Sequence, residues 1–573
     1  MNRRRFLEQC GLAASAFGAP AVWTAALEAM PIHMASAREI RADVAIVGGG
    51  LGGCAAALAA ARDGATVVLS EPTDWIGGQL TSQAVPPDEH PWIESFGCTR
   101  AYRQLRTRIR DYYRRHYPLT HEARASAYLN PGRGKVSKLC HEPRVALAAL
   151  QSLIAPYLGS GRVMLLLNHV AVEAETAGDR VQSVHLRDQR SGDLRVLSAD
   201  WFLDASEEGD LLPLTKTEYV TGFESRQQTG EPHAPDEAQP KNIQSWTWCF
   251  AVDHLAGENH TIDKPQDYSF WRSYVPDLKP PWPGKLLSWS MSNPRDHKPR
   301  SVMFDPSGGE VAGTLNLWLY RRIADRASFA SGTYPSDVTL VNWPQNDYWL
   351  GNLHEVDQPE RDRHLREARQ LSLSLLYWLQ TEAPRADGGE GWPGLRLRGD
   401  LMGTTDGLAM APYIRESRRI LAEQTITEQL VGTQARSEKT GLPRKKVSAA
   451  SFQDTVGIGS YRIDLHPTTA GDNYLDISSL PFEIPLGSLI PRRLENLLPA
   501  CKNLGTTHIT NGCYRLHPVE WNIGEAAGAL VAYCGNHGEM PRRVRNHKPR
   551  LAAFQNQLRR HGVELRWPRV TPR

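Results

Sequence analysis

The chain has 573 residues, more than one hydrophobic core usually supports, so two closely packed domains are expected. With 41% hydrophobic and 23% charged residues it reads as a globular protein, without a low-complexity run or a solenoid repeat. Its 66 basic and 63 acidic residues leave a formal net charge of +3, which gives no support for a nucleic-acid-binding surface and makes a small molecule the expected partner.

The first segment reads as an address. Arg3, Arg4 and Arg5 precede Phe6-Leu7 and a charge-free stretch over residues 10–27, and Arg-Arg-x-Phe-Leu resembles the twin-arginine signal. Asn2 and Glu8 depart from the Ser or Thr and the Lys usual beside it. Ala35-Ser36-Ala37 supplies a small-residue cleavage pattern, so residues 1–37 are expected to be a signal peptide and the mature chain to start at Arg38. The stretch is rich in Ala and Gly and barely reaches the roughly 20 apolar residues of a spanning helix, so no stable membrane span is expected. The expectation is a periplasmic or secreted protein handed folded to the twin-arginine export machinery. Of eight cysteines, Cys54, Cys98, Cys140, Cys249, Cys501, Cys513 and Cys534 follow residue 38. None forms Cys-x-x-Cys, which argues against a redox dithiol or a zinc site, and an oxidising compartment permits one or two disulfides.

Asp43-Val44-Ala45-Ile46-Val47 is a short continuous apolar run, the pattern of a buried parallel strand expected to begin at about Arg41. It leads into Gly48-Gly49-Gly50-Leu51-Gly52-Gly53, in which Gly48, Gly50 and Gly53 form Gly-x-Gly-x-x-Gly. Such glycines allow the tight turn, the approach of backbone amides to a pyrophosphate and close packing of the following helix, expected over residues 55–62. The helix N-terminus points unpaired amides and the positive end of its dipole at the phosphates. A second strand over residues 66–70 ends at Glu71, 23 positions after Gly48, where a carboxylate is placed to accept ribose hydroxyls. A dinucleotide site follows, but this motif alone does not choose between FAD and NAD.

Later segments choose. Trp75-Ile76-Gly77-Gly78-Gln79-Leu80-Thr81, then Asp204-Ala205-Ser206-Glu207-Glu208-Gly209-Asp210 at the end of a strand, then Leu497-Leu498-Pro499-Ala500-Cys501-Lys502-Asn503 resemble segments of the FAD-dependent oxidoreductases with the glutathione-reductase fold. The resemblance covers most of the chain after residue 37 and implies FAD as cofactor. It implies that Gly77, Gly78, Gln79 and Thr81 cross beside the pyrophosphate and isoalloxazine, and that a strand over residues 163–175 presents Val170 to the adenine. It further implies that Asp204, Ala205, Ser206, Gly209, Asp210 and Asn503 return the chain to the cofactor. By the same resemblance Leu51 and Gly52 are expected to join the phosphate turn, and a closing helix over residues 517–528, opened to close approach by Gly524, to face the flavin's pyrimidine edge. Residues 181–186 and 194–197 read as strands of a small antiparallel meander.

No second strand-glycine-helix unit occurs between about 215 and 480, so no nicotinamide domain is expected, and oxidation of a substrate by FAD remains. The electron acceptor stays open. The middle of the chain is rich in tryptophan, mostly core by expectation. Arg415 and Arg418 are expected to pair with acids or to bind a substrate carboxylate. For chemistry the candidates are Tyr461, Asp464, His466, His508, Arg515 and His517, in two segments expected to flank the flavin. His508 or His517 is the preferred base, and Arg515 the residue to orient an anion. No spacing calls for a metal.

The expected architecture is α/β: a Rossmann-like FAD-binding domain in two pieces, residues 38–215 and 480–545. An α+β substrate domain, residues 216–479, is inserted between them, and a tail follows over residues 546–573. The expected function is an exported dehydrogenase or oxidase passing hydride from a small polar substrate to flavin N5. A flavoprotein relay or a redox-neutral lyase or isomerase is the alternative.

Overall fold

The computed structural model describes residues 38–568; the signal expected over residues 1–37 lies outside them. Strand β1 (Arg38–Val47) pairs in parallel with β2 (Val67–Glu71), and helix α1 (Leu51–Arg62) connects them. Helices α2 (Arg100–His116) and α3 (Pro143–Gly159) lead to β3 (Val163–Leu167), which pairs in parallel with β2. Strands β4 (His169–Ala177), β5 (Arg180–Asp188) and β6 (Leu194–Asp204) form an antiparallel meander. A second sheet contains β7 (Phe250–His254), β8 (Arg322–Ala324), β9 (Val338–Val341) and, after the 24-residue helix α4 (Gln358–Thr381), β10 (Leu395–Leu397), all antiparallel. The chain then runs through β11 (Thr455–Gly459) and β12 (Phe482–Pro485) to β13 (Leu497–Pro499), α5 (His508–Tyr514) and α6 (His517–His537). Strand β13 rejoins the first sheet beside β6, in parallel, although 293 positions separate Asp204 from Leu497.

The continuous apolar run in β1 has a two-sided cause. Val44 and Ile46 belong to the large core with α1 and α6, while Ala45 and Val47 belong to a second core under the meander. Both faces of the strand's inner half are buried, so Val44 to Val47 include no polar residue. Helix α6 crosses α1 at backbone contact: a Cβ on Gly524 would stand 2.0 Å from Gly52 O and one on Gly528 2.2 Å from Ala56 O. Only glycine fits there.

Several local expectations need correction. The first strand starts at Arg38, three residues early, because its outer half pairs with residues 195–199 of β6. Helix α1 starts at Leu51, directly after Gly50, and α6 runs on to His537. The single strand expected over 163–175 is two strands, broken at Asn168, whose φ of 60° turns the chain from the parallel sheet into the meander. Conversely, residues 194–204 form one strand: its first half pairs with β5 and its last three residues with β13. The permitted disulfides do not occur; all seven cysteines after residue 38 are buried free thiols.

Candidate functional site

The glycine turn is cut to contact distance. Gly48 has φ 101°, and a Cβ there would meet Ala205 carbonyl atoms at 2.3 Å; a Cβ on Gly53 would lie 1.9 Å from Gly48 O. The amides at the start of α1 already face anionic oxygens, since Gly49 N donates to Glu71 Oε2 at 3.0 Å and Gly52 N to Glu520 Oε1 at 3.2 Å. Glu71 also accepts from Thr73 N and Oγ1. Burial pushes Glu71 up to about 7 against those hydrogen bonds. Lys502, fully buried, pairs with Glu207. A turn that presents amides to anions, an acid at the end of β2 and a buried ammonium together fit a dinucleotide diphosphate and ribose.

Around this turn the expected cofactor residues take distinct places. Gly77, with φ 109°, donates its amide to Gly49 O, and Thr81 Oγ1 donates to Ile76 O, so the 77–81 segment lies directly against the glycine turn. Gly78 lies within 2.9 Å of Gly50 Cα by its would-be Cβ. Asp204 builds the turn after β6: it accepts from Ser206 N and Oγ and from Leu211 N, and Asn503 Nδ2 donates to Asp204 O. Asp210 N donates to Ser206 Oγ, and Gly209, with φ 69°, packs on Arg418. Val170 sits on β4, paired with Arg187 and half-buried.

Beside the 77–81 segment lies a cavity of about 530 Å³, within the range of small-molecule sites. Gln79 joins the two: its amide donates to Arg515 O at 3.0 Å and to Glu520, while its Oε1 accepts from Tyr413 OH at 3.1 Å. Arg515 and Tyr413 both line the cavity. On the far wall, Arg415 donates to Asp347 Oδ1 at 2.9 Å, and Asp347 Oδ2 accepts from His466 Nδ1 at 2.6 Å. Burial pushes the Asp347 carboxyl up, but Arg415 and His466 outweigh it and hold it at about 2. Asp464 Oδ2 lies 3.7 Å from His466 Nε2 and 3.5 Å from Arg515 Nη2, and these two neighbours outweigh burial and hold it below the usual carboxylate range.

The cavity therefore gathers Tyr461, Asp464, His466 and Arg515 from the sequence candidates. It does not gather the two histidines preferred as base. His508 is fully buried, bonded to Glu416 at 2.8 Å and stacked on Phe223. His517 lies behind the wall, accepting from Asp88 N at 3.1 Å, and burial together with Arg321 holds its pKa far below the usual value. Arg418 pairs with Glu355 at 2.8 Å, the first of the two roles expected for it. Sequence reasoning missed Asp88, Arg321, Asp347 and Tyr413. Asp88-Glu89-His90 was a usable signal, three chemistry-bearing residues in a row; Arg321 offered none. Among the described residues no His, Cys, Asp and Glu group is arranged to hold a metal ion, and no helix is long and apolar enough to cross a membrane.

Among curated proteins none matches the chain. Solved structures similar to it include an L-proline dehydrogenase from P. horikoshii, 16% identical over 33% of this chain and 25% of that one, with a TM-score of 0.17. Another is an E. coli quinol fumarate reductase, 12% identical over 91% and 74%, with a TM-score of 0.33. A third is a glycerol-3-phosphate dehydrogenase from Bacillus halodurans complexed with FAD, 13% identical over 37% and 40%, with a TM-score of 0.23. The chain thus spans a quarter of the first of these and two fifths of the third. The family model described as FAD dependent oxidoreductase matches residues 43–558, which takes in both the glycine turn and the cavity. The chain belongs to the FAD dependent oxidoreductase family, and FAD is its cofactor.

Proposed function

We propose that this enzyme is an exported dehydrogenase or oxidase whose substrate, a small polar alcohol or amine, is oxidised in the cavity beside Gln79. When bound, FAD supplies the two-electron acceptor, taking hydride at flavin N5. The observation that carries the reading is the path from the 77–81 segment to the cavity wall through Gln79, Tyr413 and Arg515. A sealed electron relay has no use for a substrate-sized cavity there.

The protein's part is positional and acid–base. Asp347, fixed by Arg415 and Thr247, holds the proton of His466 on Nδ1 and so leaves Nε2 to take the hydroxyl or ammonium-derived proton as hydride departs. The ionised Asp347 stabilises the imidazolium that results. The fold underlying this reading is the glutathione-reductase type, with residues 38–215 and 480–545 around the cofactor and residues 216–479 forming the substrate side; the tail is 546–573. Return of β13 to β6 supports that division.

Anaerobic mixing of the FAD-loaded protein with polar metabolites tests the assignment: bleaching of the flavin band is expected for the substrate, followed by peroxide in air for an oxidase. Bleaching by none, with product formed at unchanged oxidation state, refutes it. Export rests on Arg3-Arg4 and Ala35-Ser36-Ala37. Arg3→Lys together with Arg4→Lys is expected to retain the protein in the cytoplasm, and unchanged fractionation overturns that part alone.

A further inference from the structure

Three guanidinium groups in the cavity wall have hydrogen-bonding capacity unused, and two of them are only lightly engaged. Arg321, 8% exposed, has Asp88 Oδ2 at 3.5 Å from Nη2, while its Nε and Nη1 meet no partner. Arg515, 3% exposed, gives Nη2 to Asp464 O at 3.1 Å and leaves Nε unmet. Arg415 also leaves Nε unmet, but its Nη groups donate to Ser245 O, Thr247 Oγ1, Asn342 Oδ1 and Asp347, so it is committed to holding Asp347. Buried donors are almost always satisfied, and the unmet ones on the two lightly engaged arginines, Arg321 and Arg515, point to a ligand that accepts from them. The lining as a whole carries seven Lys and Arg against four Asp and Glu. At the rim Arg300 forms no ion pair among the described residues, which leaves a positive field at the entrance.

We propose that the substrate carries a carboxylate, bound by Arg321 and Arg515, and is therefore a hydroxy or amino acid or a sugar acid. This rests on reading the cavity as the substrate site. A planar two-oxygen anion matches the donor fork of arginine. A single charge also suits the surroundings, because each arginine already stands beside one carboxylate, Asp88 or Asp464, and the third inner guanidinium, Arg415, is neutralised by Asp347. The acid group held at Arg321 and Arg515 leaves the rest of the molecule between Gln79 and His466, where the oxidation is placed.

The test is equilibrium binding, independent of turnover. FAD-loaded protein is titrated anaerobically with lactate against 1,2-propanediol, glucuronate against glucose, and glycerol 3-phosphate against glycerol, following flavin absorbance and tryptophan fluorescence, to which Trp343 in the cavity wall contributes. At least one acid is expected to bind about a hundredfold more tightly than its neutral counterpart, a preference that Arg321→Met or Arg515→Met reduces to a few-fold. FAD content and melting temperature report whether each variant is intact. Should neither inner variant load FAD, Arg300→Gln and competition by acetate on the unaltered protein take their place, with weakened acid binding expected in both. Equal binding of acids and neutral counterparts overturns the proposal, as does preference for the phosphate ester or an acid preference that survives loss of both arginines. Tight acid binding without flavin bleaching leaves this proposal standing and counts against the dehydrogenase reading; bleaching by neutral alcohols without acid preference does the reverse.

Discussion

Replacing Asp347 by Asn tests the acid–base reading while nearly preserving shape. Arg415 and Thr247 both donate to Oδ1, so the amide oxygen stays on their side and the amide nitrogen takes the place of Oδ2, facing His466 Nδ1. An amide N–H there requires an unprotonated Nδ1, which moves the imidazole proton to Nε2 and removes the lone pair that receives the substrate proton. Loss of a positioned base costs about 10²–10⁴ in rate, or about 3–5 kcal/mol of barrier. The carboxylate also supports the fold. Held at about 2 against an ordinary 3.8, it contributes stability present above about pH 4 and lost as pH falls through 2, about 2 kcal/mol in all. Asp347→Asn is therefore expected to lower the rate of anaerobic flavin bleaching at least a hundredfold with FAD content unchanged, and to remove that acid-limb loss of stability. A folded, FAD-loaded variant that bleaches within tenfold of the parent refutes the role given to His466.

Gly524→Ala drives a methyl group to 2.0 Å from Gly52 O, and since backbone cannot yield as a side chain does, destabilisation of at least about 3 kcal/mol is expected, read as a drop of several degrees in melting temperature and weakened FAD retention. Glu71 titrates near 7 in the cofactor-free fold against 4.5 unfolded, so the native chain binds the proton more tightly and loses roughly 3 kcal/mol as pH rises from about 4.5 to 7. Glu71→Gln is expected to flatten that slope in denaturant titrations and to weaken FAD binding about ten- to a hundredfold through the lost ribose acceptor; an unchanged slope refutes the assignment. A thiol reagent is expected to label none of the seven cysteines of a chain starting at Arg38 in the native state and all seven in denaturant, because each is buried and unpaired. Fast native labelling at Cys501 or Cys513 contradicts their burial.

The cofactor turn was legible because its physics is local. A strand buried on both faces, a glycine turn that no side chain fits, a helix dipole and an acid at the next strand's end fall within residues 43–71, and sequence spacing encodes each. The errors nearby were of partnership, not of type. Nothing in residues 194–204 says that one strand will serve a meander with its first half and a parallel sheet with its second, and nothing local marks Asn168 as the break between two strands.

The substrate side obeyed no such local code. His508 and His517 sit in the segment nearest the cofactor turn, which made them natural bases, yet one stacks on Phe223 against Glu416 and the other backs Asp88. The role proposed for His466 rests on Asp347, 119 positions earlier, and Asp347 is held by Arg415, 68 positions later. Arg321 becomes a cavity residue only because the short turn after residues 317–320 packs against Asp88. By itself the sequence determined a dinucleotide site, since phosphate and ribose are bound by backbone geometry within one contiguous unit, and FAD followed only from the resemblance of later segments. The cavity, its charge and the proposed proton acceptor were decided by tertiary structure, because they consist of pairings between segments far apart in the chain, whose partners no local pattern names.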